Sequence, residues 1–410
     1  MSSQNLCLNC LEPSTLEPSS TETCPECGWS SGKEPENHSA LPPGTLLDEH
    51  FRLAKVLGQG GFAITYLAFD ETLKKRVAVK ECLPQEFAHR SRHNQTVKSN
   101  SKKEKYFSDS LKNFLEEAQT LAQFDEPGIV GVQGFFKENA TAYMVMDYVD
   151  GRSLMKYLDD HGGQLPLDAA VGIMIRVLDA LRAVHKSLDT RGEPMLHRDI
   201  TPDNIYITND ARVKLLDFGA ARYASRERSR SLTVQFKPGY APIEQYSTRG
   251  KQGPWTDVYS CGATLYKMIT GKKPEDSLDR LDDDLLETPS KLGIELPDEV
   301  EQILMKSLAV QAKDRLQSVE ELLEVLKLQT SMAEDQSKFS GPEELREPTP
   351  EVIEQNFEEP RETEGDVVEV IKNLAEGHEE LMKDLNQRMT SQEGTVLSVR
   401  DRFDDMEGNV

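Results

Sequence analysis

Three polar side chains that suit phosphate chemistry occur within one stretch of the chain. Asp199 ends a His-Arg-Asp run, Asn204 follows it shortly afterwards, and Asp217 begins an Asp-Phe-Gly run further on. A carboxylate at Asp199 can orient a substrate hydroxyl, while the amide of Asn204 and the carboxylate of Asp217 offer oxygen ligands that suit Mg²⁺. The spacing therefore predicts phosphoryl transfer from a metal-bound nucleotide to a hydroxyl.

A glycine-rich loop and a lysine precede these residues, in the order that this chemistry requires. The loop lies between two apolar runs with the composition of strands, so we expect it to close a β-hairpin over the triphosphate. Alternation along the next strand places Ala78 and Lys80 on one face. Resemblance to protein kinases implies that Ala78 contacts adenine and that Lys80 binds the α- and β-phosphates. The loop comprises Leu57, Gly58, Gln59, Gly60, Gly61, Phe62, Ala63, Ile64 and Thr65.

The helix predicted after this strand offers two candidate glutamates to pair with Lys80. Phe114, Glu117 and Leu121 fall at positions i, i+3 and i+7, so they share one face of a helix, whereas Glu116 lies off that face. We expect Glu117 to point inward and Glu116 to point to solvent.

These motifs, in this order, resemble those of protein kinases, and in particular of bacterial serine/threonine kinases of the eukaryotic type. The resemblance implies a bilobal α+β kinase domain over residues 46–328. It implies a small antiparallel β lobe with one helix (46–149), a larger and mainly helical lobe (150–328), and MgATP in the cleft. It also implies protein substrates with serine or threonine hydroxyls, autophosphorylation, and a role in bacterial signalling.

Further roles follow from the resemblance. It makes Met146 the gatekeeper of the adenine pocket, and it gives the backbones of Asp147 and Val149 hydrogen bonds to adenine. Glu244, in a slightly altered Ala-Pro-Glu motif, is expected to pair with a buried Arg315.

Departures from the family pattern leave a second interpretation open, a nucleotide-binding pseudokinase that acts as a scaffold. Ala63 and Thr65 replace a glycine and a valine of the glycine loop, and Thr201 replaces a lysine. Tyr206 stands where an aliphatic residue usually forms the floor of the adenine pocket.

The catalytic loop itself carries one expected support and one unusual pair. By resemblance, Asp257 braces the loop that carries Asp199. Most relatives have a lysine two residues after that aspartate and a threonine in the later loop, whereas this chain has Thr201 and Lys237. We hypothesise that the Lys237 ammonium reaches the γ-phosphate and that Thr201 supplies a connecting hydrogen bond. The alternative is that Lys237 faces solvent.

The segment after Asp217 suggests regulation by phosphorylation. Arg198 can pair with a phosphate on this segment, and such a phosphate would order it through charge-assisted hydrogen bonds. The alternative is a solvated loop without regulation. The candidate sites are Ser225, Ser229, Ser231 and Thr233, among Arg222, Arg226, Arg228 and Arg230.

Four of the six cysteines form two Cys-x-x-Cys knuckles near the start of the chain, Cys7 with Cys10 and Cys24 with Cys27. Two such knuckles bring four thiolates around one ion in tetrahedral geometry, and so short a segment needs the metal to fold. We therefore expect a zinc ribbon with structural Zn²⁺ over residues 1–32. Two disulfides or a redox pair are the alternatives.

Three other segments are defined by composition. Residues 33–45 predict a flexible linker, so we expect nucleotide binding to survive loss of the ribbon. The insertion from Pro84 to Asn113 predicts either a solvated basic loop or a docking patch for acidic partners. Its basic residues are Arg90, Arg92, Lys98, Lys102, Lys103, Lys105 and Lys112.

The acidic tail, residues 329–410, carries more than half of the net negative charge and is expected to be largely disordered. Within it, residues 366–389 show a short heptad pattern. This pattern predicts a lone helix or a weak dimerisation element. Its seam is Val367, Ile371, Leu374, His378, Leu381 and Leu385.

The overall composition favours an enzyme of the cytoplasm. The 410 residues carry a formal charge of −23, which argues against nucleic acid and acidic membranes as partners, and a nucleic-acid-binding protein led by the ribbon is the remaining alternative. No apolar run approaches the length of about 20 residues that spans a bilayer, and the start resembles no signal peptide. We therefore expect a cytoplasmic location.

Overall fold

The computed structural model describes residues 6–13, 23–30, 38–91, 94–99, 103–188, 192–218, 237–247 and 250–339. Within these residues the strands are β1 (Leu46–Leu47), β2 (Phe51–Gln59), β3 (Ala63–Asp70), β4 (Lys75–Cys82), β5 (Ala88–Arg90), β6 (Val97–Ser99), β7 (Val132–Glu138), β8 (Thr141–Asp147), β9 (Gly151–Ser153), β10 (Ile205–Thr208) and β11 (Val213–Leu215). The α-helices are α1 (Glu104–Leu121), α2 (Leu154–Asp160), α3 (Leu167–Lys186), α4 (Ile243–Tyr246), α5 (Pro254–Thr270), α6 (Asp298–Ser307) and α7 (Val319–Phe339).

The small lobe is built on one antiparallel sheet with the strand order β1-β2-β3-β4-β8-β7. Successive residues of a strand point to opposite faces, so β3 contributes to two separate apolar clusters. Tyr66 lies in the main core, which includes Val79 and Tyr143, whereas Leu67 packs with Ala54 on the other face. Helix α1 packs against β4, β7 and β8 of this sheet. The α+β fold class predicted from the sequence is confirmed.

Helix α1 begins earlier than its glutamate motif suggested, because the apolar face continues toward its N-terminus. Phe107, Phe114 and Leu121 are buried on this face, and Glu117 lies among them. Part of the preceding insertion forms the β5–β6 hairpin. The predicted basic loop is therefore partly structured.

Arg90 of this hairpin is not a surface residue, which corrects the prediction that it belongs to a solvated basic patch. Its guanidinium forms an ion pair with Glu81, whose side chain is fully buried in the lobe. The Glu81 carboxylate also accepts hydrogen bonds from the hydroxyls of Tyr66 (2.9 Å) and Tyr143 (2.8 Å). A buried charge needs such partners, so this network fixes the hairpin on the sheet.

Part of the segment that the sequence assigned to a linker also belongs to the small lobe. Ala40 and Leu41 are buried in its core, and the Leu41 N–H donates to the Tyr66 hydroxyl (3.0 Å). The Ser39 carbonyl accepts from Arg90 Nε (2.8 Å). The burial of these two side chains and the hydrogen bonds to Tyr66 and Arg90 attach this stretch to the small lobe.

The large lobe surrounds helix α5, in which nearly every side chain is buried. A helix that is apolar on all sides occupies the centre of a helical domain, and α3 and α6 pack against it. A second small sheet, in the order β11-β10-β9, lies in this lobe and carries the turns that present the site.

Several sequence predictions lie outside the described residues. These are the phosphorylation segment from Gly219 to Phe236, the tail beyond Phe339 with its heptad pattern, and the basic residues Arg92 and Lys102. Among the helices that the structure describes, none combines the length and apolar character needed to cross a membrane.

Candidate active site

The ammonium of Lys80 lies between two carboxylates that come from different elements. Its Nζ is 3.6 Å from Glu117 Oε1 on α1 and 2.8 Å from Asp217 Oδ1 after β11. The Glu117 side chain is almost completely buried, whereas Glu116 is half exposed and pairs with Lys112 on the outer face. One cation therefore joins the β4 strand, the α1 helix and the Asp-Phe-Gly turn.

Backbone strain occurs at two residues of the site. Arg198 and Asp217 have φ angles of 67° and 53°, a left-handed conformation that is uncommon for residues other than glycine. Such strained residues persist only where neighbouring contacts hold them, and they cluster at active sites. Asp217 is held by Lys80, and the N–H of Arg198 is held by Asp257 Oδ1 (2.7 Å).

Asp199 and Asn204 form a closed pair on the catalytic loop. The Asn204 amide nitrogen donates to Asp199 Oδ2 (2.7 Å) and to the Asp199 backbone carbonyl (2.8 Å). Both side chains are almost fully buried. Because the amide nitrogen is used in this way, the Asn204 Oδ1 oxygen is the atom that suits a metal ion.

His197 connects this loop to the Asp217 turn. Its Nε2 lies 3.0 Å from the Leu216 carbonyl, which can only accept, so Nε2 carries the proton and Nδ1 accepts from the Asp199 N–H (3.3 Å). Burial lowers the pKa of His197, although Asp257 and other nearby carboxylates oppose this effect. The neutral ring packs on Phe218 with centroids 4.4 Å apart.

Asp257 braces the loop from α5, as the sequence predicted. Besides the Arg198 N–H, it accepts the N–H of His197 (2.8 Å) and His185 Nε2 (2.9 Å). Burial alone would raise the pKa of Asp257, but the hydrogen bonds from His185 and from the backbone hold it below its usual range. The fully buried carboxylate therefore stays charged and fixes the loop from behind.

The glycine loop connects β2 and β3, as expected, and its tip is fastened to the chain after β4. The Leu83 N–H donates to the Phe62 carbonyl and the Gln85 N–H donates to the Gly61 carbonyl, both at 2.9 Å. The Gly60 N–H donates to the Ala63 carbonyl, which closes the hairpin. The substitution of Ala63 for a glycine is thus compatible with a tight turn.

The residues assigned to the adenine pocket lie on neighbouring strands. Ala78 of β4 and Met146 of β8 are directly paired across the sheet. The Asp147 N–H donates to the Gly131 carbonyl (2.9 Å), so a nucleotide contact at Asp147 falls to its carbonyl oxygen. Burial raises the pKa of Tyr206, and the Asp217 carboxylate adds to this effect.

Lys237 has a partner that the sequence analysis did not foresee. Its ammonium pairs with Asp203, one residue before Asn204. The Thr201 hydroxyl is buried and finds no hydrogen-bond partner within the described part of the chain. The proposed Thr201–Lys237 hydrogen bond is therefore not formed, because a carboxylate is the stronger partner for an ammonium. The carboxylate of Asp203, inside the catalytic loop, was the feature of the sequence that could have predicted this ion pair.

Glu244 and Arg315 form the buried pair that the sequence predicted. Arg315 donates through two nitrogens to the Glu244 carboxylate, at 2.8 and 3.4 Å, and also to the carbonyls of Trp255, Ala309 and Val310. This pair connects α4 with the segment before α7 and so stabilises the large lobe below the site.

The four N-terminal cysteines form a second candidate site. Their sulfur atoms all lie within 4.8 Å of one another. Cys7 Sγ is 3.8 Å from Cys27 Sγ, and Cys10 Sγ is 3.9 Å from Cys24 Sγ. Zinc–sulfur bonds of about 2.3 Å in a tetrahedron place sulfurs about 3.8 Å apart, so this donor set fits Zn²⁺.

Comparison with known proteins decides the family. The family model of the protein kinase domain matches residues 51–326. The chain belongs to the protein kinase family. A probable serine/threonine-protein kinase of Clostridium perfringens is 28% identical over 315 residues, which cover 72% of this chain and 42% of that relative.

Two further comparisons support the kinase assignment. The serine/threonine-protein kinase PrkC of Bacillus subtilis is 28% identical over 286 residues, covering 68% of this chain and 40% of PrkC. The solved structure of PpkA-294 in its apo form is 33% identical, with a TM-score of 0.59, and the match covers 70% of this chain and 99% of that one. This kinase chain spans about two fifths of the length of its curated relatives.

The neutral state of buried His197 makes kinase stability depend on pH. Below the ordinary pKa of 6.5 the unfolded chain gains a proton that the folded ring resists, so stability falls as the pH falls. Relative to His197→Gln, which does not titrate, we expect wild type to lose about 1 kcal/mol of unfolding free energy between about pH 7.5 and 5.5. Urea unfolding curves for the two proteins across this range test it, and a constant difference would contradict it.

Proposed function

We propose that this chain is a serine/threonine protein kinase that transfers the γ-phosphoryl group of ATP to protein hydroxyls, including its own, in bacterial signalling. The observation that carries the proposal is the contact of Lys80 with both Glu117 and Asp217. This contact fixes the Lys80 ammonium and the Asp217 carboxylate. Leu216, next to Asp217, donates its N–H to the carbonyl of Asn204, which is hydrogen-bonded to Asp199. The named functions of the relatives support serine and threonine as acceptors.

Each polar residue of the site has a distinct role in this proposal. Lys80, held by Glu117, binds the α- and β-phosphates. Asp199, held by the Asn204 amide, orients the substrate hydroxyl and accepts its proton. Asn204 Oδ1 and the Asp217 carboxylate are oxygen donors that fit Mg²⁺, which when bound neutralises phosphate charge. Positioning and charge stabilisation provide nearly all of the catalysis in such a transfer.

The remaining nucleotide contacts follow from the small lobe. The glycine loop, residues 57–65, covers the phosphates with backbone N–H groups. Ala78 and Met146 line the adenine pocket, and the Asp147 carbonyl and the Val149 N–H form hydrogen bonds with the base. The pseudokinase alternative is not favoured, because Lys80, Asn204 and Asp217, which match the family's phosphate-binding and metal-binding residues, are all present.

Replacing the catalytic aspartate separates phosphoryl transfer from nucleotide binding. We expect Asp199→Asn to lower phosphate incorporation from labelled MgATP by about 10²- to 10⁴-fold, the usual contribution of a general base, with little change in ATP affinity. Asp159→Asn is the matched control, because Asp159 is exposed on α2. Phosphoamino-acid analysis of the product identifies the acceptor hydroxyl. Equal incorporation by wild type and Asp199→Asn would remove the kinase proposal.

Lys237 is proposed as an additional catalytic residue that replaces the usual lysine of the catalytic loop. Its contact with Asp203 keeps the ammonium beside the loop that carries Asp199 and Asn204. A cation delivered from the later loop preserves positive charge near the transferring phosphoryl group. In this proposal Thr201 fills the space that the missing lysine leaves.

Removal of this charge tests the Lys237 proposal. We expect Lys237→Ala to lower kcat by about 10²-fold, as for the loss of one preorganised charge in a transition state, with ATP affinity nearly unchanged. The exchange Thr201→Lys with Lys237→Thr restores part of the rate. Lys251→Ala, at an exposed lysine of the same lobe, is the control. An unimpaired kcat, at equal phosphorylation of the protein, would end the idea.

The cysteine cluster is proposed to hold one structural Zn²⁺. Its four sulfur donors and their separations match a tetrahedral thiolate site. The ion supplies the crosslink between two knuckles that have almost no other core, since only Trp29 packs against the cysteines in the cluster that the structure describes.

Metal analysis tests the zinc proposal. We expect about one zinc per chain in freshly reduced protein, and loss of that zinc in Cys24→Ser, because three thiolates leave the tetrahedron incomplete. Cys261→Ser is the control, since Cys261 is buried in α5. Reduced wild-type protein that contains no zinc would contradict the proposal.

Three broader predictions from the sequence stay proposals. They are a cytoplasmic location, no binding of nucleic acid, and weak dimerisation through residues 366–389. The acidity of the chain supports the second, and the heptad pattern supports the third.

A further inference from the structure

The two cysteine knuckles share a backbone hydrogen bond but differ in the residue that follows the second cysteine, which is Leu11 in the first knuckle and Gly28 in the second. In each, the residue after the second cysteine donates its N–H to the carbonyl of the first cysteine, Leu11 to Cys7 (3.0 Å) and Gly28 to Cys24 (2.8 Å). Both residues are left-handed, with φ angles of 59° and 69°. Glycine adopts this conformation without cost, whereas a leucine there is strained.

The Leu11 side chain packs outside the ribbon, and this contact explains why a leucine occupies a left-handed position. Leu11 is 3% exposed and packs with Ala54 of β2 and Leu67 of β3, on the face of the sheet opposite the main core. Phe69 and Tyr148 pack against the same cluster. The first knuckle therefore inserts one apolar side chain into the small lobe, whereas the second knuckle has Gly28, which has no side chain, at this position.

Polar contacts beside Leu11 fix the knuckle in register with the sheet. The Asn9 carbonyl accepts the N–H of Lys55 (2.9 Å), while the Asn9 N–H and side-chain amide reach the sulfurs of Cys7 (3.4 Å) and Cys27 (3.6 Å). Glu12 pairs with Arg76 of β4 (3.0 Å). Asn9 thus contacts both the cysteine sulfurs and the sheet. The ribbon is therefore attached to the small lobe, whereas the flexible linker predicted from the sequence implied two independent units.

Tyr148 extends this contact to the nucleotide site. It lies between Asp147 and Val149, whose backbones are proposed to bind adenine. Its ring packs, partly buried, against the cluster that contains Leu11, and this burial raises the pKa of Tyr148. We propose that Leu11 is a positioning residue through which the metal-bound ribbon holds Tyr148 and thereby sets the affinity for ATP.

This inference rests on the proposed function, and it has a thermodynamic consequence. If zinc orders the knuckle and the knuckle orders the adenine-binding backbone, zinc and ATP each bind more tightly when the other is present. The two effects must be equal in free energy, because binding linkage is reciprocal. Leu11 carries the coupling, so removal of its side chain abolishes it without removing a zinc ligand.

The variant Leu11→Gly gives the first knuckle the residue that the second already has. Because the backbone there is left-handed, we expect zinc content to stay at the wild-type level. We expect the dissociation constant for a non-hydrolysable ATP analogue with Mg²⁺ to rise about fivefold or more, the lower range of typical coupling. Leu11→Met, which preserves the apolar volume, restores wild-type affinity. Leu73→Ala, at a leucine 61% exposed in the turn between β3 and β4, leaves it unchanged.

Two measurements separate positioning from a merely structural role. In wild type, the ATP analogue raises the zinc affinity measured by chelator competition, by the same factor as zinc raises the affinity for the analogue, and neither effect occurs in Leu11→Gly. Amide hydrogen exchange at Tyr148 and Val149 becomes faster in Leu11→Gly. A leucine that serves only the ribbon would change neither quantity.

Results that contradict the role of Leu11 can be distinguished from results that contradict the proposed function. A wild-type protein that binds the analogue with the same affinity as Leu11→Gly, both containing zinc, would overturn this inference alone. Zinc affinity in wild type that is equal with and without the analogue would do the same. A wild-type protein that contains no zinc would overturn the zinc proposal together with this inference. A wild-type protein that binds no analogue would overturn the proposed kinase function as well.

Discussion

The ammonium of Lys80 is the interaction on which the site depends. It is mostly buried, and it is compensated by carboxylates from α1 and from the turn after β11. A cation removed from water is stable only when such partners are in place, and removal of one partner of a buried pair costs about 3–5 kcal/mol. The positions of the helix, the strand and the Asp217 turn are therefore not independent of one another.

The opposite face of the same strand is fixed in a similar way. Glu81 follows Lys80, so its carboxylate points to the other side of β4, where two tyrosine hydroxyls and Arg90 satisfy it. Two consecutive charged residues thus anchor one strand to the active site on one side and to the insertion hairpin on the other. Exposing the Lys80 or the Glu81 charge to solvent would require breaking its ion pairs or hydrogen bonds.

Periodicity and spacing along the sequence correctly predicted features that depend on residues close together in the chain. Helical period selected Glu117 over Glu116, strand alternation placed Ala78 and Lys80, and the cysteine spacing matches the sulfur cluster. The family resemblance supplied the fold and the catalytic loop. The partner of Lys237, the burial of Arg90 and the docking of Leu11 could not be predicted, because each depends on residues distant in sequence whose approach only the folded chain defines.

The burial of Leu41 changes where the folded unit begins. Shortened proteins that start at residue 46 would lose the donor to the Tyr66 hydroxyl and the Ser39 carbonyl that receives Arg90, and would open a void of leucine size in the sheet core. Unsatisfied buried polar groups and a cavity of this kind each cost about 1–5 kcal/mol. The folded small lobe therefore begins before residue 51, where the match to the protein kinase family model begins.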